Sequence, residues 1–157
     1  MAFWKIPPRI KVFEALGTLG DKRIELGIGK SAKVFSSARN KFYSVTYDQE
    51  TNAIMANDNG SYWQDYLGYP AIAVLMLAGM ITYNSEIAQS LAGIEWKKVN
   101  TQFKNNYSKS EEYALSHAES RGVSREKVLA EVEQIFKKLS SEKWKLLGEK
   151  VEPPGEE

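Results

Sequence analysis

Residues 42–81 read FYSVTYDQETNAIMANDNGSYWQDYLGYPAIAVLMLAGMI, and the order of patterns inside this stretch decides the fold. It opens with a period of two: Tyr43, Val45 and Tyr47 alternate with their neighbours, and Ile54 and Ala56 resume the alternation after the turn-forming residues 48–52. Such alternation gives a strand one apolar face. Residues 71–81 then carry no charge and follow Pro70, whose missing N–H costs nothing in the first turn of a helix. That run is well short of the about 20 apolar residues a membrane span needs. The spacing therefore predicts a buried helix from Pro70 to about Gly79, packed on the sheet that precedes it.

Working upstream, Ile24, Leu26 and Ile28, then Ala32 and Val34, carry the same alternation, and residues 38–40 have the chemistry of a turn. Together these segments predict an antiparallel meander of three or four strands. Before it, a helix starting at Pro7 or Pro8 places Ile10, Phe13 and Leu16 on one face and runs towards Gly17 or Gly20. Working downstream, a short helix over 85–91 is expected. Trp96, Val99, Phe103 and Tyr107 then share a helical face, and Ser108 with Glu111 has the form of a capping box. Gly122 stops that segment and Ser124 caps the next, where Val128, Val132, Ile135 and Leu139 stripe a helix to about Leu147. The fold class is α+β: an N-terminal helix and a three- to four-stranded antiparallel meander packed on a Pro-initiated apolar helix, followed by C-terminal helices. The expected units are an α+β part over 1–94, a helical region over 95–147 packed on the first, and a flexible acidic tail over 148–157.

A chain of 157 residues, 43% of them apolar, is long enough to bury a core. Its 21 basic and 20 acidic side chains nearly cancel, so long-range attraction to nucleic acid or an acidic membrane is weak. Cysteine is absent and His117 is the single histidine, which removes thiolate chemistry and most imidazole chemistry. No metal or cofactor is expected. The N-terminus has no apolar h-region, since Pro7, Pro8, Arg9 and Lys11 interrupt it, and the expected compartment is the cytoplasm.

Two motifs fail on inspection. Gly29-Lys30-Ser31 has the end of a phosphate-binding loop, but Ile24 stands where the first glycine belongs and a strand follows where a helix is needed, so a hairpin turn is expected. Residues 118–124 echo a helix-turn-helix, yet Glu126, Glu131 and Glu133 would repel phosphate from the second helix, and a plain helical hairpin fits better.

The aromatic stretch 57–69 contains no Lys or Arg. Tyr62, Trp63, Tyr66 and Tyr69 are interleaved with Asp58, Asn59, Gln64 and Asp65, a composition that suits recognition, because rings give contact area while polar groups fix orientation. The competing reading turns the rings inward as a loop wrapping the core. A nucleic-acid version of the surface would draw on Lys30, Lys33, Arg39 and Lys41 from the strands.

Residues 32–81 resemble a SWIM domain in the succession of a strand pair, a strand end followed by an aspartate at Asp58, a variable loop and a Pro-led helix. The zinc-ligand positions fall on Ile54, Ala56, Ala71 and Ala73, so all four ligands are missing, and a small apolar cluster would stand where that family holds metal. The resemblance implies an interaction module for protein or nucleic acid. The functional expectation is accordingly a non-catalytic module binding a protein or nucleic acid through loop 57–70, with self-association through the C-terminal helices as a further expectation. The alternative is a small-molecule-binding protein or small enzyme that uses the same loop as a pocket.

Overall fold

Alternating apolar positions between residues 31 and 56 become the middle of a mixed sheet. The computed structural model describes residues 2–155. In chain order the elements are α1 (Ile10–Gly20), β1 (Ile24–Leu26), β2 (Ser31–Phe35), β3 (Phe42–Asp48), β4 (Ala53–Ala56), α2 (Asn59–Gln64), α3 (Tyr69–Leu77), α4 (Ser85–Ser90), α5 (Trp96–Gln102), α6 (Tyr107–Ser120), α7 (Arg125–Ser141) and β5 (Lys145–Leu146). The five strands lie in sequence order; β1 to β4 form the expected antiparallel meander, and β5 adds in parallel to β4. In this register Val34 pairs with Tyr43 and Val45 with Ala56, so all four point to the same face, where they are buried. α3 packs on β3 and β4, and α1 packs on α3 and α4. Pro70 to Met76 are all buried, as expected of a helix that is apolar on every side.

The C-terminal helices share this core. Val128, Val132, Ile135 and Leu139 of α7 belong to the same buried cluster as Ile10 and Phe13 of α1. Arg9 ties both helices to the start of α1, with Nη2 at 2.6 Å from Glu111 and Nη1 at 2.5 Å from Glu133. α6 and α7 form the expected hairpin, with Gly122 at φ 87° and Ser124 Oγ accepting from the Lys127 N–H. On their outward faces Tyr113 is the one large apolar side chain more than a third exposed among the described residues.

Several boundaries differ from the sequence expectation, each for a physical reason. α1 begins at Ile10 and not at Pro7 or Pro8: Lys5 bridges Tyr66 in extended form, and a residue before proline is disfavoured in the helical region. Leu26 and Ile28 do not continue the buried face of Ile24. β1 is a three-residue edge strand that ends at Leu26, and Gly29 at φ 71° turns the chain into β2, leaving Ile28 wholly exposed. That segment is the hairpin turn expected of residues 29–31. The cap of α6 is Asn106, whose Oδ1 accepts from Lys109 N–H, and not Ser108; Lys104 and Asn105 in the left-handed region have already separated α5 from α6. α7 stops at Ser141, short of Leu147, because Trp144 buries against it with Nε1 donating to Leu139 O while Lys145 and Leu146 join β4. Within the tail, Lys150 pairs with Asp65 and Glu152 O accepts from Asn57 Nδ2 at 3.2 Å. Among the described residues no helix is long and apolar enough to cross a membrane.

Candidate functional site

Asp58 is where the sequence expectation and the structure meet first. It is buried at the N-cap of α2, with Oδ1 accepting from Ser61 Oγ at 2.6 Å and Oδ2 from Ser61 N–H at 3.2 Å. Ser61 Oγ in turn accepts from Gly68 N–H, so a chain of hydrogen bonds fixes α2 against the start of α3. A Cβ at Gly68 would collide with the Asp58 carboxylate, which is why glycine stands there. The stretch expected as pure loop is therefore partly helical, because an aspartate followed by Asn-Gly-Ser caps a short turn.

The four rings separate. Trp63 is 67% exposed and stacks edge-on against half-buried Tyr62, with centroids 4.8 Å apart. Tyr66 turns back over Gly60, and Tyr69 packs edge-on against Tyr43 at 6.2 Å. Gln64 is exposed; Asp65, in the left-handed region at φ 62°, closes α2 and pairs with Lys150. The eight residues thus form no single outward surface. Trp63 and Gln64 face solvent, while Asp58, Asn59 and Tyr69 line a cleft on another side of the loop.

That cleft has a volume of about 290 Å³ and lies between α1, the β2–β3 turn, α2 and α5. Its buried floor is formed by Glu14, Arg23, Tyr43, Asp58 and Trp96, and its exposed rim includes Asn40, Asn59, Lys97 and Thr101. The rim is held by the β2–β3 turn, where Ser36 N–H donates to Lys41 O, and by Lys97 N–H reaching Ser37 Oγ at 3.5 Å. Trp96 lies close against α1 because Gly17 carries no side chain; a Cβ there would stand 2.8 Å from Trp96 Nε1.

The floor is rich in charge. Glu14 is buried with Lys11 Nζ 3.0 Å from its Oε2, within ion-pair distance but not aligned as a hydrogen bond. Burial raises the Glu14 carboxyl above its ordinary value, only partly opposed by the Lys11 ammonium. Burial alone would lower Lys11, but the neighbouring Glu14 carboxylate, with Tyr66 and Tyr107, leaves the ammonium above its usual range. Burial also raises Asp58 despite its hydrogen bonds from Ser61. Tyr43 is pushed up to about 12 by burial and by the Asp58 charge, and burial raises Tyr69 further, so both are neutral phenols at neutral pH. Arg23, 1% exposed, spends Nε on Asp21 at 2.9 Å and Nη1 on Phe35 O at 2.7 Å. Its Nη2, together with Glu14 Oε2 and Trp96 Nε1, has no hydrogen-bond partner. Buried carboxyls with raised pKa beside an ammonium and phenols are equipment for binding polar groups or moving protons.

Of the cations expected to serve nucleic acid, Lys41 lines the cleft, with Nζ 5.7 Å from the Tyr43 ring centroid. Lys30 lies at the far end of β2, paired with Asp48 at 3.2 Å, Lys33 stands over Phe42, and Arg39 donates to Asp21 O. They do not converge. Ile54, Ala56, Ala71 and Ala73, the positions matched to zinc ligands, are all buried in the core. Among the described residues no cluster of three or more His, Cys, Asp or Glu is arranged to hold a metal ion. His117 Nε2 donates to Ala92 O at 2.7 Å, a structural contact.

Sequence reasoning did not find Lys11, Glu14, Arg23, Trp96 and Lys97, and it read Tyr43 only as a strand position. The one local signal was Glu14 itself, a lone carboxylate inside the apolar run VFEAL of α1. A family model described as uncharacterised conserved protein UCP014422 matches residues 4–145, a span that includes the whole cleft. No curated protein and no solved structure matches the chain.

Proposed function

We propose, from the premise that the chain belongs to the family described as uncharacterised conserved protein UCP014422, that it binds a small polar molecule in the cleft floored by Glu14, Arg23 and Trp96. One observation carries this reading. The three buried side-chain atoms without a hydrogen-bond partner, Glu14 Oε2, Arg23 Nη2 and Trp96 Nε1, belong to residues lining one and the same cleft. Each unpaired buried polar group costs about 1–3 kcal/mol, against a total stability of about 5–15 kcal/mol for a domain. Arg23 Nη2 and Trp96 Nε1 are two such groups in one place, beside a Glu14 Oε2 that has Lys11 Nζ at 3.0 Å, and a bound molecule with complementary acceptors removes that penalty. A volume of about 290 Å³ sits at the small end of ligand pockets, roughly 300–1,000 Å³. It suits a metabolite better than a polymer.

The test is ligand-observed NMR against a library of polar metabolites, repeated with Trp96→Phe and Glu14→Gln. A binder weakened by both substitutions is the expected result. No binder tighter than about 1 mM, which corresponds to about −4 kcal/mol, or binders indifferent to both changes, would sink the reading.

A second reading rests on Trp63. Its ring is 67% exposed beside Tyr62, and an exposed tryptophan of this kind is common where a protein meets another macromolecule. Pull-down with a folded Tyr62→Ala/Trp63→Ala variant separates this from the cleft: partners retained by that variant count against it.

A further inference from the structure

The charge around the cleft is graded from floor to rim. On the floor, Lys11 pairs with Glu14 at 3.0 Å and Arg23 with Asp21 at 2.9 Å, while the Asp58 carboxylate is held, among the described residues, by Ser61 alone. What this floor still offers is two donors, Arg23 Nη2 and Trp96 Nε1, and the remaining acceptor capacity of Glu14 Oε2, which Lys11 neutralises without an aligned hydrogen bond. A neutral group presenting both a donor and acceptors, such as a hydroxylated ring or an amide, satisfies it without unbalancing the pairs. At the rim the pattern is different. Lys41 and Lys97 both line the cleft, neither stands in an ion pair among the described residues, and the lining contains no carboxylate besides buried Glu14 and Asp58. Lys41 Nζ, 5.7 Å from the Tyr43 ring, places its charge on the cleft wall. The mouth is therefore cationic, whereas the floor is polar and, counting Asp58, carries one more negative charge than positive, which keeps an anionic group at the mouth.

We infer that the ligand is a small two-ended anion, with a phosphate or carboxylate held at the mouth by Lys41 and Lys97 and a neutral hydrogen-bonding head turned down to Glu14, Arg23 and Trp96. This rests on the cleft being a ligand site. Two lysines lining a cleft with no exposed carboxylate attract an anion before it docks and can hold it afterwards by charge-assisted hydrogen bonds, which are roughly twice as strong as neutral ones. The mouth also selects against amines and other cations by like-charge repulsion. The neutral head sets which anion is chosen, because a buried donor or acceptor left unmatched is penalised more than a matched one is rewarded.

Matched pairs that differ only in the anion test this by calorimetry on the full chain: uridine 5′-monophosphate against uridine, ribose 5-phosphate against ribose, and N-acetylglycine against N-acetylglycinamide. The first two pairs represent phosphate and the third carboxylate. The expected result is that in at least one pair the anion binds about tenfold or more tightly than its neutral counterpart, the equivalent of about 1.4 kcal/mol. That preference should shrink as salt rises from about 50 to about 300 mM. Lys41→Met/Lys97→Met, checked for folding by its melting curve, should abolish the preference, whereas Glu14→Gln should weaken both members of the pair and leave their ratio unchanged. Neutral members binding as tightly as the anions, or a preference that survives the double lysine substitution, overturns this inference while leaving the cleft as a ligand site. If no member of any pair binds, the inference falls. If the metabolite library also yields no binder, the cleft reading falls with it.

Discussion

Trp4 and Trp144 are buried and each donates its indole N–H to a backbone carbonyl, Ile54 O at 2.8 Å and Leu139 O at 3.1 Å, whereas Trp96 is equally buried and donates to nothing. The first two indoles spend their polar edge on holding the fold, and the third keeps it beside the cleft. Glu14 makes the same point with a charge. Its raised carboxyl means that the folded protein binds this proton more tightly than the unfolded chain does. Between the unfolded and folded pKa the native state carries more protons, so stability is highest below the ordinary glutamate range and declines as pH rises through the folded value. Lys11 limits that decline by supplying the nearest positive charge. Replacing it in Lys11→Met leaves a buried carboxylate unpaired, and removing one partner of a buried pair costs about 3–5 kcal/mol. Urea unfolding should show a loss near the lower end of that range at pH 7, since Lys11 is slightly exposed, and a smaller loss at about pH 3.5, below the ordinary glutamate range, where the unfolded chain also takes up most of this proton. An equal loss at both pH values would show that Lys11 acts by packing and not by charge.

At the scale of elements, α2 depends on one side chain. Six residues are too few to hold a helix by themselves, and the α2 turn persists because Asp58 accepts from both Ser61 groups while Ser61 Oγ holds Gly68. Asp58→Ala should cost about 1–2 kcal/mol, the usual range for a lost N-cap. Hydrogen exchange should quicken over residues 59–64 and leave α6 and α7 as they were; uniform acceleration across the chain would mean that Asp58 supports the whole core and not one turn. How far each element was legible follows from how local its determinants are. The strands β2 to β4 and the helix α3 were readable because period-two alternation and a Pro-led apolar run are local patterns. The short helix within 59–64 is not legible as such, because six residues give no period and its cap, Asp58, is also an ordinary loop residue. Leu26 and Ile28 misled because alternation says which face a residue points to, not whether anything covers that face. The end of α7 is overrun because Trp144 continues the apolar content of the chain, while what holds it, Nε1 on Leu139 O and its own carbonyl accepting from Trp4 N–H, is tertiary.

At the scale of the molecule, most of the cleft is illegible in the sequence, and the reason is distance along the chain. Its floor takes Glu14 from α1, Arg23 from the turn after it, Tyr43 from β3, Asp58 from the cap of α2 and Trp96 from α5. They are spread from Glu14 to Trp96, none adjacent to another, and only the folding of the sheet against α1 and α5 brings them together. Asp58, Asn59 and Tyr69 are candidate residues from sequence as part of a recognition loop or, in the alternative, of a pocket made by that loop, and the structure divides the loop between solvent and cleft. The same geometry bears on whether residues 95–147 behave as a separate lobe. α6 and α7 bury Val128, Val132 and Leu139 in one cluster with Ile10 and Phe13, Arg9 joins α1 to both, and the cleft takes its walls from both halves of the chain. A domain with one contiguous core unfolds as one unit. Calorimetry should therefore give a single transition whose calorimetric and van't Hoff enthalpies agree. A cleft ligand at about a hundred times its Kd should stabilise that transition by about 2.7 kcal/mol, moving it to higher temperature without splitting it. Two transitions, with only one moved by the ligand, would show that α6 and α7 fold independently and that the cleft is the property of the first half alone. A single transition that the ligand shifts as a whole would mean that occupying the cleft fastens the halves together, because Trp96 and Lys97 on α5 reach the same molecule as Glu14 and Arg23.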